Sequence, residues 1–163
     1  MAENELTLLY RRWLTEVWGG GRFDVSAEII AADVIDHNPM PGQPPGRDGH
    51  DYAVRMVRNA FPDAIFCTDV VFSDGEYVTG RWTMIGTNTG PFDLYELPPT
   101  GRPVTMTGQE IIRVADGQFA EIWHSEDVPT MLTQLGLEPP RFAMRMAARR
   151  SARRYRRATA VTR

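Results

Sequence analysis

The sequence predicts an α+β fold, in which helices pack against one face of a strongly curved antiparallel sheet. Over about the first 60 of the 163 residues, apolar side chains recur at helical spacing. From Ala64 on, the apolar period changes to two, which is typical of strands. Asp74-Gly75 and Asp116-Gly117 each lie between apolar runs, and Asp-Gly is the strongest local signal for a tight hairpin.

Three helices are expected before the sheet. The apolar stripe from Leu6 to Trp18 predicts the first helix, which ends at Gly19-Gly20-Gly21. A short helix capped by Asp24 should run into a short strand, and the segment PMPGQPPGRDG then excludes regular structure. The third helix spans about 48–60, because Pro62 stops it.

Four long strands and a last short helix should follow. The runs IFCTDVVF and EYVTGRWTMIGTN flank the first Asp-Gly pair, and the runs VTMTGQEIIRVA and QFAEIWHSED flank the second. The helix VPTMLTQLG ends at Gly136. A curved sheet with helices against one face encloses a cavity, which is a natural pocket for a small ligand.

The turn at Asp116-Gly117 also fixes which residues of the last hairpin share a face. A two-residue turn pairs Ala115 with Gln118, and each further step of one residue along both strands gives the next pair. Every second pair then points to the same face of the sheet. On this count the more apolar face, expected to point inward, includes Glu110, Trp123, Ser125 and Asp127, among apolar residues. The opposite face carries Gln109 and His124. A carboxylate beside Trp and Met in a half-dry pocket has a raised pKa and can move protons near neutrality.

Composition indicates one globular domain in residues 1–138, followed by an Arg-rich tail in 139–163. The 42% content of hydrophobic residues argues against disorder, and no stretch approaches the ~20 apolar residues of a membrane span. A single cysteine, Cys67, excludes an internal disulfide and suits a cytoplasmic location. Because it lies in a predicted strand, we expect it to be buried and unreactive.

Charge is divided unevenly along the chain. All 18 basic residues are arginines, half of them from Arg141 on, whereas all 21 acidic residues precede that point. The lack of lysine excludes Schiff-base catalysis, and the acidic body does not suit nucleic-acid binding. The tail is either a basic amphipathic helix or a disordered extension. It has three candidate partners: a membrane surface, an acidic protein, or the acidic body of its own chain.

Several segments resemble the SnoaL-like polyketide cyclases of the NTF2-like superfamily, over about residues 6–137. They are VIDHNPMPGQPPGRDG, AFPDAIF, GRWTMIGTNTGPF, LPPTGRPVTMTGQEIIRVADGQFAEIWHSED and MLTQLGL. The resemblance implies a cone-shaped α+β barrel with a deep apolar pocket, often assembled as a homodimer or a higher homo-oligomer. It also implies closure of a polyketide ring by intramolecular aldol condensation, without metal or organic cofactor.

The same resemblance assigns the catalytic acid/base to an aspartate just after the Trp-bearing last strand, which here is Asp127. The chain departs from the family at Ser125, where relatives often carry His or Glu, so a partner of the catalytic acid is missing. Asp127 has a second possible role, because an aspartate directly before the helix VPTMLTQLG can cap it. Both roles coexist only if its side chain points into the cavity.

The other candidate site residues are proposed to bind substrate, each with a structural alternative. Glu110 forms a carboxylate pair with Asp127, or else lies at the rim, in water or paired with Arg81. His37, Asn38 and Gln109 offer hydrogen bonds to a substrate oxygen, although a lone histidine is more often structural.

Aromatic and remaining histidine side chains complete the expected site. Trp82 and Trp123 are pocket wall or plain core. His124 should be structural or at an interface, and His50 should lie on a helix surface. Histidines this scattered predict no metal site.

The sequence thus predicts a cofactor-free enzyme that acts on a hydrophobic polyketide-like molecule, with Asp127 as acid/base. Two alternatives stay open. The same cavity suits an epoxide hydrolase or isomerase, and it also suits a non-catalytic binder of lipids or small molecules.

Overall fold

The structure is a computed structural model, and it describes residues 4–137 and 141–160. The predicted boundary between domain and tail, at 138/139, lies outside the described residues. The helices are α1 (Glu5–Arg12), a π-helix (Trp13–Trp18), α2 (Phe23–Ile29), α3 (Gly46–Ala60), a 3₁₀ turn (Asp93–Tyr95), α4 (Val128–Leu135) and α5 (Arg141–Ala160). The strands are β1 (Ile30–Asp36), β2 (Ile65–Ser73), β3 (Tyr77–Thr87), β4 (Pro103–Ala115) and β5 (Gln118–Glu126).

The five strands form one open sheet in the order β1-β5-β4-β3-β2. The four strands of the two hairpins pair antiparallel, as predicted. β1 instead pairs parallel with β5, so the sheet is mixed and the expectation of a wholly antiparallel sheet was wrong at this edge. This pairing places the residues that follow β1 beside the end of β5.

A π-helix, Trp13–Trp18, directly continues α1 and positions two tryptophans. The backbone N–H of Gly19 donates to the carbonyl of Leu14 at 2.9 Å, a bond between residues five apart. Residues five apart therefore lie near one another on one face, and the Trp13 and Trp18 rings meet edge to face with centroids 6.0 Å apart. Both indoles face the space between helices and sheet.

The last hairpin contains a β-bulge that the sequence count did not include. Asp116 and Gly117 both have positive φ, as the predicted type I′ turn requires, and Val114 pairs with Phe119 as expected. Arg113 then pairs with Glu121, which leaves Ala120 without a partner in the ladder. Because one extra residue reverses every later side chain of the strand, the predicted faces of β5 beyond Ala120 were wrong.

One face of the sheet carries the core. Along β3, alternate residues from Val78 to Gly86 are buried, whereas the residues between them are more exposed. Four helical segments lie on this face, since α3 contacts β1, α4 contacts β4, and α1 and the π-helix contact β2. The opposite face leaves apolar side chains in solvent, such as Ile85 and Ile111.

Two smaller expectations were wrong, and one of the two alternatives for the tail was confirmed. Cys67 is exposed on β2, because its position in the alternation faces away from the helices. Asp24 is not the cap of α2; the helix begins one residue earlier, and Asp24 forms an ion pair with Arg22. The tail is a helix, α5, over Arg141–Ala160. None of the helices in the described parts of the chain has the length and apolar character needed to cross a membrane.

Candidate functional site

A cavity of about 250 Å³ lies between the helices and the buried face of the sheet. Much of its wall is aromatic: Trp13, Trp18, Phe66, Trp82, Phe92 and Tyr95. Its polar and charged side chains are Asp36, Asn38, Gln43, His50, Glu110, His124 and Glu126. A mostly apolar wall with a few polar groups is the usual composition of a small-molecule site.

His124 connects two carboxylates on one wall of this cavity. Its Nε2 lies 3.0 Å from Asp36 Oδ1, and its Nδ1 lies 2.5 Å from Glu126 Oε1. Because both ring nitrogens face carboxylates, both carry protons and donate. Gln43 donates to the second oxygen of Asp36 at 2.7 Å, which fixes the orientation of the Asp36 carboxylate.

These contacts set the protonation states of His124 and Asp36. Burial would lower the pKa of His124, but the hydrogen bonds to Asp36 and Glu126 raise it to about 10. His124 is therefore an imidazolium at neutral pH. Burial opposes the charge of Asp36, yet the bonds from His124 and Gln43 hold the pKa of that carboxyl below its usual value.

A third carboxylate, Glu110, lies directly across the strands from His124. It is only 5% exposed. The Tyr10 hydroxyl donates to its Oε2 at 2.6 Å, and the Trp82 indole N–H donates to its Oε1. α1 and β3 thus each supply one donor to a carboxyl that sits on β4.

Two glycines make these contacts possible. A Cβ at Gly80 would lie 2.4 Å from the Tyr10 ring, and one at Gly108 would lie 2.3 Å from the Trp82 ring. Gly80 pairs with Glu110 across β3 and β4, and Gly108 pairs with Trp82. The rings of Tyr10 and Trp82 therefore occupy the space that side chains at these positions would fill.

Burial raises the pKa of Glu110 to about 7, although the bonds from Tyr10 and Trp82 favour its charged form. Glu126 adds to the rise and His124 opposes it. Burial, with the charge of Glu110, also raises the pKa of Tyr10, which keeps that hydroxyl protonated. The cavity thus contains carboxyl groups in two different environments, which is the arrangement that separates acid from base roles.

His50 is buried, so its predicted position on a helix surface was wrong. The Trp13 indole donates to His50 Nε2 at 2.9 Å, and His50 Nδ1 lies 3.3 Å from Asp51 Oδ1. Ser26 donates to the same Asp51 oxygen at 2.6 Å. This network ties α2, α3 and the π-helix together beside the cavity, which Trp13 and His50 line.

Three of the predicted substrate-binding residues line the cavity: Asn38, Trp82 and Glu110. The alternative of an ion pair between Glu110 and Arg81 was wrong, because Arg81 pairs with Asp69.

Four others lie on the outer face of the sheet, because the bulge or the strand alternation turns them outward. Gln109 and Ser125 are exposed there and pair with one another. Trp123 stacks on His37 with ring centroids 4.3 Å apart, and His37 also contacts Glu121.

Asp127 lies at the start of α4. Its side chain accepts from the backbone N–H of Thr130 at 3.1 Å, which makes it the N-cap of that helix. The residue is exposed and is not part of the cavity wall. The inward position predicted for it was wrong, since the bulge places Glu126 there instead. Its catalytic role stays a prediction that this position does not favour.

We expect Asp127→Ala to lower the free energy of unfolding and to leave the cavity lining unchanged. Loss of the cap should cost about 1 kcal/mol, because the Thr130 N–H loses its acceptor. Thermal melts of the variant and of Asp127→Asn, which retains an acceptor oxygen, measure this cost. An Asp127→Ala melting temperature equal to that of the wild type would contradict the capping role.

The sequence-based assignment missed His124, Glu126, Asp36 and Tyr10. One signal was present: Phe119 and Ile122 are both large apolar residues three apart, and a strand can bury both on one face only through a bulge. No group of three His, Cys, Asp or Glu side chains within the described ranges is arranged to hold a metal ion.

Comparison with solved structures gives relatives of the same fold. IdmH of Streptomyces antibioticus, a candidate polyketide cyclase, is 30% identical, with a TM-score of 0.70 over 82% of this chain and 99% of that one. TsrD of Streptomyces laurentii is 22% identical, with a TM-score of 0.75 over 85% and 99%. AclR of Streptomyces galilaeus, a candidate hydroxylase, is 20% identical, with a TM-score of 0.71 over 94% and 96%. The last two show likeness of fold alone.

No curated protein matches the chain. The family model described as "SnoaL-like polyketide cyclase" matches residues 8–135, which include every element from the middle of α1 to the end of α4. The match includes Asp36, His124, Glu126 and Glu110 of the cavity, and it agrees with the similarity to IdmH. The chain therefore belongs to the SnoaL-like polyketide cyclase family.

Proposed function

We propose that the protein is an acid/base enzyme that closes a ring in a hydrophobic, polyketide-like molecule by an intramolecular aldol reaction. One observation carries the proposal: the charged row Asp36–His124–Glu126 ends in a cavity whose other walls are mainly aromatic. Family membership supports the reaction class.

Glu126 is the base in this proposal. Its Oε1 is held by His124, and its side chain lines the cavity, so its second oxygen is the one offered to a substrate. His124 is an unsuitable base, because it is already protonated at neutral pH and both ring nitrogens are engaged. It positions Glu126 instead, and Asp36 positions His124.

Two hydrogen-bond donors that line the cavity suit a developing oxyanion. Asn38 accepts from the backbone N–H of His124 with its side-chain oxygen at 3.1 Å, so its NH₂ group remains as a donor at the cavity. Tyr95 lines the cavity too, and burial, with the charge of Glu126, raises the pKa of its hydroxyl, which stays protonated. Hydrogen bonds aimed at new negative charge lower the barrier of such reactions.

The proposed reaction balances without a co-reactant. Glu126 removes a proton from a carbon next to a carbonyl, and the resulting enolate is stabilised by Asn38 and Tyr95. The enolate carbon bonds to a second carbonyl carbon of the same molecule, whose oxygen becomes an alkoxide and takes the proton back from Glu126. The aromatic walls contribute by folding the substrate so that the two carbons meet.

Proton abstraction is testable without the natural substrate. In D₂O near pH 7, the protein should accelerate exchange of the α-protons of 2-tetralone, a bicyclic ketone, as followed by NMR. Excess 2-methylnaphthalene, which fills an apolar cavity but cannot react, should suppress the effect. Exchange no faster than in buffer would overturn the proposal. Hydration of indene oxide without ketone exchange would favour an epoxide hydrolase.

A further inference from the structure

We infer that Glu110 determines substrate specificity by accepting a hydrogen bond from a hydroxyl group on the part of the substrate remote from Glu126. Glu110 has this role only if the cavity is the substrate site proposed above. The substrate class is then narrower than a hydrophobic ketone: it is a hydroxylated, flat molecule whose hydroxyl meets Glu110 while a carbonyl meets Asn38 and Tyr95.

Among the described residues, the immediate surroundings of Glu110 leave its carboxylate with unused acceptor capacity. A carboxylate has about four lone-pair sites. Tyr10 uses one on Oε2 and Trp82 uses one on Oε1. His124, although directly opposite on β5, is committed to Asp36 and Glu126. The residue is buried yet lines the cavity, so a ligand group is placed to supply the next donor.

The free-energy cost of burying the Glu110 carboxylate also favours a further hydrogen-bond donor from a ligand. A carboxylate in an apolar pocket is stabilised in proportion to the donors that reach it, and two neutral donors are few for a charge that is 5% exposed. Gly80 and Gly108 keep the adjacent strand positions free of side chains that would otherwise displace Tyr10 and Trp82. The fold thus holds this carboxyl in the cavity wall with a fixed orientation, as a specific binding group requires.

The hydroxyl is the donor that fits this wall. A positively charged amine would lose its hydration among Trp13, Phe66 and Trp82, which line the same cavity. A neutral hydroxyl on an aromatic ring pays little for burial and gives a strong bond to a carboxylate. A group that only accepts, such as an ether or a ketone, cannot pair with ionised Glu110.

Calorimetric titration with three ligands of similar size tests the inference: 2-naphthol, 2-methoxynaphthalene and 2-methylnaphthalene. At pH 8 we expect 2-naphthol to bind about tenfold more tightly than the methoxy compound, because only the hydroxyl donates. The methoxy and methyl compounds should bind within about threefold of one another. Equal affinities for 2-naphthol and 2-methoxynaphthalene would overturn the inference, whether or not any variant folds.

Two variants show which carboxylate causes the preference for 2-naphthol over 2-methoxynaphthalene. In Glu110→Gln the preference should fall to about twofold or less. In Glu121→Gln the preference should persist, because Glu121 lies on the outer face, paired with Arg113 and His37. A preference unchanged in Glu110→Gln would place the acceptor elsewhere and overturn the assignment. Glu126→Gln should keep the preference and lose ketone exchange, so failure of the specificity role and failure of the catalytic role give different results.

Discussion

Glu126→Gln is expected to lower the rate of α-proton exchange in 2-tetralone by about 10²- to 10⁴-fold, with little change in melting temperature. That range is the usual contribution of a positioned acid or base. Gln retains an oxygen that can accept from His124 Nδ1, so the wall keeps its hydrogen bond, but an amide cannot take up a proton at neutral pH. Exchange followed by NMR gives the rate, and binding of 2-methylnaphthalene shows that the cavity persists.

Asp127→Asn is the matched control, because it makes the same chemical change one residue later. Asp127 caps α4 and is exposed, so its amide variant should exchange 2-tetralone at close to the wild-type rate. The reverse pattern, with activity lost in Asp127→Asn and retained in Glu126→Gln, would restore the assignment made from the sequence and remove Glu126 from the mechanism.

The contrast between these neighbours shows how far local sequence signals reach. Asp116-Gly117 correctly gave the type of turn, the strands on both sides of it and the first two pairs of the ladder. Each of these depends only on residues that are close in sequence. The helices and strands were therefore predictable nearly to their ends, and the family's fold followed from the same segments.

The bulge at Ala120 depends instead on what the strand packs against. Phe119 and Ile122 are both buried, which requires the extra residue between them. Strict alternation from Phe119 instead put Trp123 on the inner face, and Trp123 is apolar enough to make that register plausible. Trp123 is tolerated on the outer face because His37 stacks on it. That contact comes from β1 lying parallel to β5, a pairing between segments distant in sequence, which alternation alone does not reveal.

The same parallel pairing explains why the charged row was not predicted. Asp36 and His124 are 88 residues apart, and they meet only because β1 ends beside β5. His50 was likewise predicted to lie on a helix surface. In the fold it is enclosed, and Trp13 supplies the hydrogen bond that makes burial of the imidazole acceptable.

His124→Gln is expected to destabilise the protein at pH 7 by roughly 2–4 kcal/mol, which is about 5–15 °C in melting temperature for a chain of this size. The imidazolium lies between Asp36 and Glu126, with 15% of its side chain exposed, and its removal leaves two carboxylates without their shared partner. Ketone exchange should fall as well, since Glu126 loses the group that positions it.

The pH dependence separates this charge effect from simple loss of packing. The pKa of His124 rises from 6.5 to about 10 on folding, so the folded state binds more protons than the unfolded state between those values. The stability that His124 contributes is therefore complete below about pH 6.5 and is lost as the pH rises through about 10. The difference in unfolding free energy between wild type and His124→Gln should shrink over that range.

His37→Gln provides the control, because His37 also contacts a carboxylate but lies on the outer face, with 35% of its side chain exposed. An exposed pair of this kind contributes at most about 1 kcal/mol, so this variant should melt close to the wild type. Denaturant unfolding at several pH values between 6 and 10.5 gives the comparison. A His124→Gln deficit that stays constant across that range would mean that His124 acts by packing and hydrogen-bond geometry alone, and Glu126 would then lack the imidazolium on which its proposed orientation depends.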